Sequence, residues 1–518
     1  MPWEEVSDNS HLSSIRHSHY HRSVKKAPSG ILPIVAVDRA SPTPLYRQLY
    51  DSFREAILEG RLRAGQRIPS TRSLAAELRI SRLPLLEAFD QLVAEGYFES
   101  GVGAGTFVAS SVPGKPGPPE RAKAHGPAPR WRRPVSRDTD FLLRKEADPW
   151  LRGWGTFRVS QLAVDRFPLE IWSRLVGRHA RMAHGSPGNQ SMSYGDPMGD
   201  RPFREAVAAY LRTARAVRCE ADQIMVVSGS QQALSLAARV LLDAGSPVWV
   251  EEPGYGGARD VLRLRGARLV PVPVDDEGLN VAAGVQKCPR ARAVYVTPSH
   301  QYPLGLTMSA SRRLLLLDWA RRSGSWIIED DYDSEYRYES LPIASLQGLD
   351  RDSRVLYIGT FSKVLFPALR LGYIVLPGDL VARFAAVRNA TDIFPPTFAQ
   401  TVLADFIREG HFARHLRRMR ALYSERRAAL VGAIEEELGG VLNVLGCEAG
   451  MHLVATLSKG PRDRDVSARA AAQRLWAMPL SSCYLGKPSR QGFVLGFGGT
   501  DVPEIFDGVR RLRGVLER

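Results

Sequence analysis

Between residues 110 and 137 the chain reads SSVPGKPGPPERAKAHGPAPRWRRPVSR, rich in proline and glycine and almost free of aliphatic side chains. Such a stretch has little apolar surface to bury, and its prolines hold the backbone partly extended. No hydrophobic core can run through it, so the chain must fold as separate bodies on either side. Fully extended, these 28 residues would span on the order of 90 Å. The predicted organisation is a tail over 1–40, a small domain over 41–110, a linker over 111–150 and a large domain over 151–518. The linker also carries much of the positive charge. Of the formal +15, residues 110–137 hold seven basic groups against one acid, whereas residues 41–109 balance eight against eight. Net charge alone therefore points only weakly to a polyanionic partner.

The tail is rich in His, Ser and Arg and lacks helical periodicity, so it is expected to be disordered. Its histidines (His11, His17, His19, His21) are read as solvated, and no metal site is predicted. The N-terminus has no apolar signal-like core, and no run approaches the roughly 18 apolar residues of a membrane helix. Four scattered cysteines, Cys219, Cys288, Cys447 and Cys483, lack the paired spacing of a Cys-only zinc site and fit a reducing, cytoplasmic location.

In the small domain, PLYRQLYDSFREAILEG places Leu45, Leu49, Phe53, Ile57 and Leu58 at helical spacing, with Gly60 as a stop. Ser70 is a plausible N-cap for a second helix, TRSLAAELRI, and Ser81 for a third, RLPLLEAFDQLVAEG. YFESGVGAGTFVAS then reads as two short strands around a glycine-rich tip. Three helices and a hairpin is winged helix-turn-helix order (α+β), in which the later helix enters the major groove of double-stranded DNA while groups around it hold phosphates. Thr71, Arg72, Ser81 and Arg82 stand at the two helix starts, where hydroxyls, guanidiniums and free N–H groups suit phosphate. Gly103 and Gly105 let the wing backbone approach a minor groove. Over about 70 residues the string resembles the GntR-type winged helix. It departs at Leu83-Pro84-Leu85-Leu86, where that family usually has polar residues; Leu83 and Leu86 cannot hydrogen-bond to base edges, so base readout is expected to be modest.

Beyond the linker, β-rich runs such as QIMVVSG, PVWVEE, RAVYVTP, SWIIEDD and RVLYIGT alternate with helical patterns. This predicts an α/β domain with a mostly parallel sheet covered on both faces, followed by a smaller α+β portion. Its strongest chemical signal is Gly359-Thr360-Phe361-Ser362-Lys363, followed by Arg370-Leu371-Gly372-Tyr373. A lysine that forms a Schiff base must sit beside an aldehyde, and Thr360, Ser362 and Arg370 would bind a phosphate dianion. Ser228-Gly229-Ser230-Gln231 ends a strand and starts a helix, so Ser230, Gln231 and the helix N-terminus form a second half of that cradle. Tyr255 is placed to stack on a pyridine ring. Asp330, at the C-terminal end of an apolar strand, would keep the ring nitrogen protonated, with Asp331 as the alternative acid, and Tyr332 would donate to the phenolic oxygen.

Together with Tyr194-Gly195-Asp196-Pro197, EEPGY, TPSHQYPLG, EDDYDSEYRY and FPALRLGY, this array resembles the fold-type-I aminotransferases over about residues 155–518. That resemblance implies pyridoxal 5′-phosphate (PLP) on Lys363 and a dimer in which Tyr194 reaches the partner's phosphate. A GntR-type winged helix, a linker and an aminotransferase-like domain in one chain resembles the arrangement of MocR/GabR-type regulators. It implies a head-to-tail homodimer that senses a small amine, an amino acid or PLP itself; the competing reading is a working aminotransferase with an accessory DNA-binding domain. Two departures stand out. Tyr302 occupies the place of an asparagine that bonds the phenolic oxygen in many of those enzymes, leaving His300 or Gln301 to substitute. The segment Phe493–Gly499 lacks the arginine that clamps a substrate carboxylate.

Overall fold

The apolar stripe of the first predicted helix builds α1, Leu45–Leu58, whose Leu49, Phe53 and Ile57 are buried. The computed structural model describes residues 37–101, 105–111, 139–143, 150, 153–185, 193–338, 344–446 and 448–517. The chain divides into two units, Met1–Arg133 and Pro134–Arg518. In the first, α1 is followed by β1 (Arg67–Ile68), α2 (Thr71–Leu78), α3 (Arg82–Ala94), β2 (Phe98–Gly101) and β3 (Gly105–Val108). Phe53, Phe89 and Phe98 meet edge to face with ring centroids 5.1–5.6 Å apart and tie α1, α3 and β2 into one core. Ser70 caps α2 as expected, its Oγ accepting from Ser73 N–H at 3.2 Å. Ser81 occupies the N-cap position of α3 in an extended conformation, but its side chain makes no capping bond. The hairpin gains a strand that the sequence did not suggest. β1 pairs with β3, giving the order β1-β3-β2, and two residues are too few to show an alternating pattern.

The second unit is built on an eight-stranded sheet formed by β4 (Ile224–Val227), β5 (Pro247–Glu252), β6 (Arg268–Asp275), β7 (Gly278–Leu279), β8 (Ala293–Val296), β9 (Trp326–Asp331), β10 (Val355–Thr360) and β11 (Gly372–Val375). The order is β4-β11-β10-β9-β8-β5-β6-β7. The expected parallel sheet is mixed at both margins. β7 returns on β6 through a tight hairpin, and β11 runs antiparallel to β10 and β4. The loop from Phe361 to Leu371 is too short for the helical crossover that a parallel return requires. Because β4 and β10 both oppose β11, the strands β4, β5, β8, β9 and β10 all end at one edge of the sheet. Their side chains are buried on both faces, beneath helices such as Ser230–Leu241 and Ala310–Ser323; Trp319 of the latter stacks on Trp249 at 3.8 Å.

A smaller antiparallel sheet, β12 (Leu442–Leu445), β13 (His452–Leu457), β15 (Gly492–Gly496) and β14 (Met478–Pro479), closes the unit with the helices His411–Leu438 and Val502–Leu516. The segment before the large sheet lies along β15, where Gly496 N–H donates to Phe157 O at 2.9 Å. Among the described residues no helix is long and apolar enough to cross a membrane.

Candidate functional site

Five of the strands that end at this edge deliver residues at or just after their ends into one cavity of about 190 Å³. β4 leads to Gly229, Ser230 and Gln231, β5 to Tyr255, β8 to Thr297 and Tyr302, β9 to Asp330 and Tyr332, and β10 to Thr360, Ser362 and Lys363. Arg370 enters from the loop before β11, and Ser160 from the segment against β15. Nine of the residues singled out in the sequence therefore share one space: Lys363, Asp330, Tyr332, Tyr255, Ser230, Gln231, Thr360, Ser362 and Arg370.

The cavity is electrostatically divided. At one end Gly229, at φ +105°, turns the chain into the N-terminus of the helix Ser230–Leu241. Arg370 sits close by, its Nη1 3.6 Å from where a Cβ on Gly229 would stand. Thr360 Oγ1 accepts from Ser362 N–H at 3.2 Å, while the buried Ser362 Oγ has no hydrogen-bond partner among the described residues. A helix N-terminus, a guanidinium and an unused buried hydroxyl form a cradle suited to a multivalent anion.

At the other end Asp330 is buried. It accepts from Tyr295 OH at 2.9 Å and from Ser230 Oγ at 3.4 Å. Desolvation pushes its carboxyl up from 3.8 to about 7. Burial acts oppositely on the cation Lys363 and brings its ammonium down from 10.5 to about 8, against the opposing pull of Asp333. The lowered value enlarges the fraction of neutral amine, the form in which a lysine is nucleophilic. The Tyr255 hydroxyl accepts from Gln231 Nε2 at 2.9 Å, and its ring meets Tyr302 edge-on at 5.6 Å, so one wall of the cavity is aromatic.

Strand alternation decides between the two candidate acids, since neighbouring residues on β9 face opposite sides of the sheet. Asp330 faces the cavity. Asp331 faces away, accepting from Arg215 Nη2 at 2.6 Å and from Tyr357 OH at 2.5 Å, a buried ion pair that holds it ionised. Neither expected substitute for the missing asparagine reaches the cavity. Gln301 Nε2 is spent on the carbonyls of Pro253 and Tyr302, at 2.9 and 2.7 Å, and His300 lies behind Tyr332. Tyr302 itself forms the wall at that point. Tyr194 does not line its own chain's cavity. It is 81% exposed, and its ring packs edge to face with Phe394 at 5.7 Å. Sequence reasoning missed Tyr295, Thr297 and Ser160. Tyr295 looks like any strand-core aromatic until the sheet order puts β8 beside β9, and Ser160 arrives from a segment with no periodic signal.

In the first unit, Arg82 Nε donates to Thr71 Oγ1 at 3.0 Å, bringing the starts of α2 and α3 together. Arg72, Ser81 and Arg82 are exposed around that junction. Leu83 is also exposed, at 62%, whereas Leu85 is buried, so an apolar side chain stands at the leading turn of α3. Gly105 opens β3 at φ +99°, and Gly103 lies outside the described residues.

Comparison with known proteins agrees with this division. Residues 45–108 match the family of bacterial regulatory proteins, gntR family, and residues 178–491 match aminotransferase class I and II. The probable rhizopine catabolism regulatory protein MocR of Rhizobium meliloti is 39% identical over 484 residues, 93% of this chain and 96% of that protein. The HTH-type pyridoxine biosynthesis transcriptional regulator PdxR of Corynebacterium glutamicum is 31% identical, covering 91% and 95%. Among solved structures, the α-aminoadipate aminotransferase LysN of Thermus thermophilus, complexed with N-(5′-phosphopyridoxyl)-L-leucine, superposes with a TM-score of 0.66. It is 29% identical and covers 73% of this chain and 96% of its own.

Proposed function

The chain belongs to the MocR-type transcriptional regulators, a gntR-type winged helix joined to an aminotransferase class I and II domain, and from that membership we propose that it binds double-stranded DNA under the control of PLP held in the large-unit cavity. The observation that carries this reading is the meeting of a low-pKa amine (Lys363), a buried acid (Asp330) and an anion cradle (Gly229, Ser230, Thr360, Ser362, Arg370) in one cavity.

The residues present fit that cofactor. Bound there, PLP supplies an aldehyde that accepts a primary amine and a pyridine ring that withdraws electrons. Lys363 Nζ would hold the carbonyl carbon. Asp330, whose ionised form gains only hydroxyl donors, would pair with a protonated ring nitrogen. Tyr255 would pack against the ring, with Gln231 fixing its hydroxyl. Ser362 Oγ, Thr360 and Arg370 would receive the phosphate, and an exposed Tyr194 would complete the partner's cradle in a head-to-tail homodimer. Lys363 would then be the group with which a small amine or amino acid entering the cavity would have to compete. Such a ligand shifts DNA binding to the extent that it binds the two arrangements of the dimer unequally. The absence of arginine from Phe493–Gly499 favours sensing over general transamination, because an α-carboxylate has no guanidinium there to orient it.

Reconstitution tests the reading. The wild-type protein should take up PLP, turn yellow and, after borohydride reduction, carry the pyridoxyl mass on the peptide containing Lys363, while Lys363→Ala stays colourless. Its DNA footprint should change when amines are added. An adduct on another lysine would refute the cofactor assignment. High kcat/KM across several amino acids would favour the enzyme instead.

A further inference from the structure

Behind Tyr332 lies a buried polar cluster that the proposed function leaves unused. His300 Nδ1 is 2.8 Å from Asp333 Oδ1 and 3.0 Å from the Tyr332 hydroxyl, and the His300 and Asp333 side chains are 1% and 2% exposed. We propose that His300, as its Nδ1–H tautomer, is a positioning residue that turns the Tyr332 hydroxyl hydrogen into the cavity. The inference rests on the reading of that cavity as a PLP site.

The tautomer follows from the hydrogen-bond network. A neutral imidazole carries one proton. On Nε2, that proton would sit on a buried nitrogen with no partner among the described residues, and the bare Nδ1 would face a carboxylate oxygen, lone pair to lone pair. On Nδ1, it is donated to Asp333, and the orphan is an unprotonated nitrogen, the cheaper of the two to bury. The neighbouring His452 fits the same network. Its Nε2 lies 3.1 Å from Pro303 O, which can only accept, so His452 carries its proton there. Burial pushes His452 down to about 3 and keeps it neutral. The Gly450 backbone packs against the His300–Asp333 pair. At φ +74° it passes so close that a Cβ would stand 2.0 Å from His300 Cε1 and 2.6 Å from Asp333 Oδ2.

A protonated Nδ1 cannot accept from Tyr332. The tyrosine oxygen therefore accepts a share of the Nδ1 hydrogen, and its own hydrogen must point elsewhere, toward the cavity that Tyr332 lines with Lys363 and Asp330. Tyr332 would thus be held as a donor to a cofactor oxygen. The charged and titratable groups facing the pair are Asp330, Asp333, Glu251, Tyr302, His452 and Lys363. His300, Asp333 and His452 also bring ligand-type atoms within 4.8 Å of one another, so the same groups could instead hold a metal ion. The proton assigned to Nδ1 excludes ligation through that atom.

The test is a pH titration of the visible band of the full-length protein reconstituted with PLP. Tyr332→Phe should move the pH of the colour change by about one unit, the scale of a lost hydrogen bond to a charged acceptor. His300→Leu should move it in the same direction, and the double variant no further than Tyr332→Phe alone. His300→Asn, whose amide nitrogen stands near the Nδ1 position, should restore the wild-type titration. His300→Gln, whose donor reaches the Nε2 position, should not. Should His300→Leu fail to fold, the Asn and Gln variants still decide the matter. A coloured wild type with an unmoved His300→Leu, additive shifts, equal rescue by Gln, or stoichiometric zinc in the purified protein would each overturn the inference alone. A wild-type protein that takes up no PLP would overturn the reading of the cavity as well.

Discussion

Replacing Asp330 by asparagine should stabilise the PLP-free protein at alkaline pH and weaken the PLP-bound one. In the folded chain desolvation raises this carboxyl from 3.8 to about 7. Across that window the folded state keeps a proton that the unfolded chain has released. The folded state binds more protons, so stability falls as pH rises through the window and levels off above about 7. The displacement corresponds to about 4 kcal/mol at ~1.36 kcal/mol per pH unit. Asparagine carries no charge at any pH and can still bond the Tyr295 and Ser230 hydroxyls. The variant should therefore exceed wild type by up to about 4 kcal/mol at pH 8, with the gap closing toward pH 4. Glu251, Glu329 and Glu335, also raised to about 7 by burial, tilt both proteins equally and cancel in the difference. Urea unfolding followed by tryptophan fluorescence reads mainly the large unit, which holds seven of the nine tryptophans. With PLP bound the sign should reverse, since asparagine cannot neutralise a pyridinium. An Asp330→Asn protein less stable than wild type at pH 8 without PLP, or a gap indifferent to pH, would refute the desolvation argument.

Two further outcomes follow from the geometry. Arg82→Ala should weaken DNA binding by a similar factor for all sequences and lower the slope of log K against log salt by about one, measured by fluorescence anisotropy between roughly 50 and 200 mM salt; a sequence-selective loss would make Arg82 a base reader instead. Asp331→Ala should destabilise the large unit by about 3–5 kcal/mol, because Arg215 is left as a buried unpaired cation, and an Arg215→Met/Asp331→Leu double variant should recover much of that loss in denaturant titration.

What the sequence reveals of this molecule, and what it hides, divides along a physical line. Local features are legible. The stripe Leu49–Phe53–Ile57, the Ser70 cap and the order of strand-end motifs each depend on neighbouring residues, while the expected linker lies mostly outside the described residues. Features set by packing between distant segments are not. Asp330 and Asp331 are adjacent acids on one apolar strand, and either suits a pyridinium until the alternation of β9 is fixed against Arg215 on one face and Tyr295 on the other. Tyr295 becomes part of the site only because β8 lies beside β9. β1 exists because Arg67 and Ile68 pass alongside β3, a pairing that two residues cannot announce.

The absence of an arginine from Phe493–Gly499 is legible in the sequence, but only the structure shows why one substitution would not restore a clamp there. Phe493, Val494, Leu495 and Phe497 are fully buried among apolar side chains, so none has an outlet for a guanidinium. The glycines between and after them face the segment that carries Phe157. A Cβ on Gly496 would stand 2.4 Å from Arg158 O, one on Gly498 2.5 Å from Gln161 O, and one on Gly499 2.3 Å from Gln161 Cγ. That same segment delivers Ser160 to the cavity, so displacing it to admit an arginine would reshape the site that the arginine is meant to serve. Efficient transamination requires the α-carbon to be held in one orientation through the transition state, which a bidentate guanidinium provides. Regulation requires only that occupancy differ between two states of the protein. On the proposed reading, a cavity that keeps the amine, the buried acid and the anion cradle while leaving no room for a clamp at Phe493–Gly499 would meet the second requirement without the first.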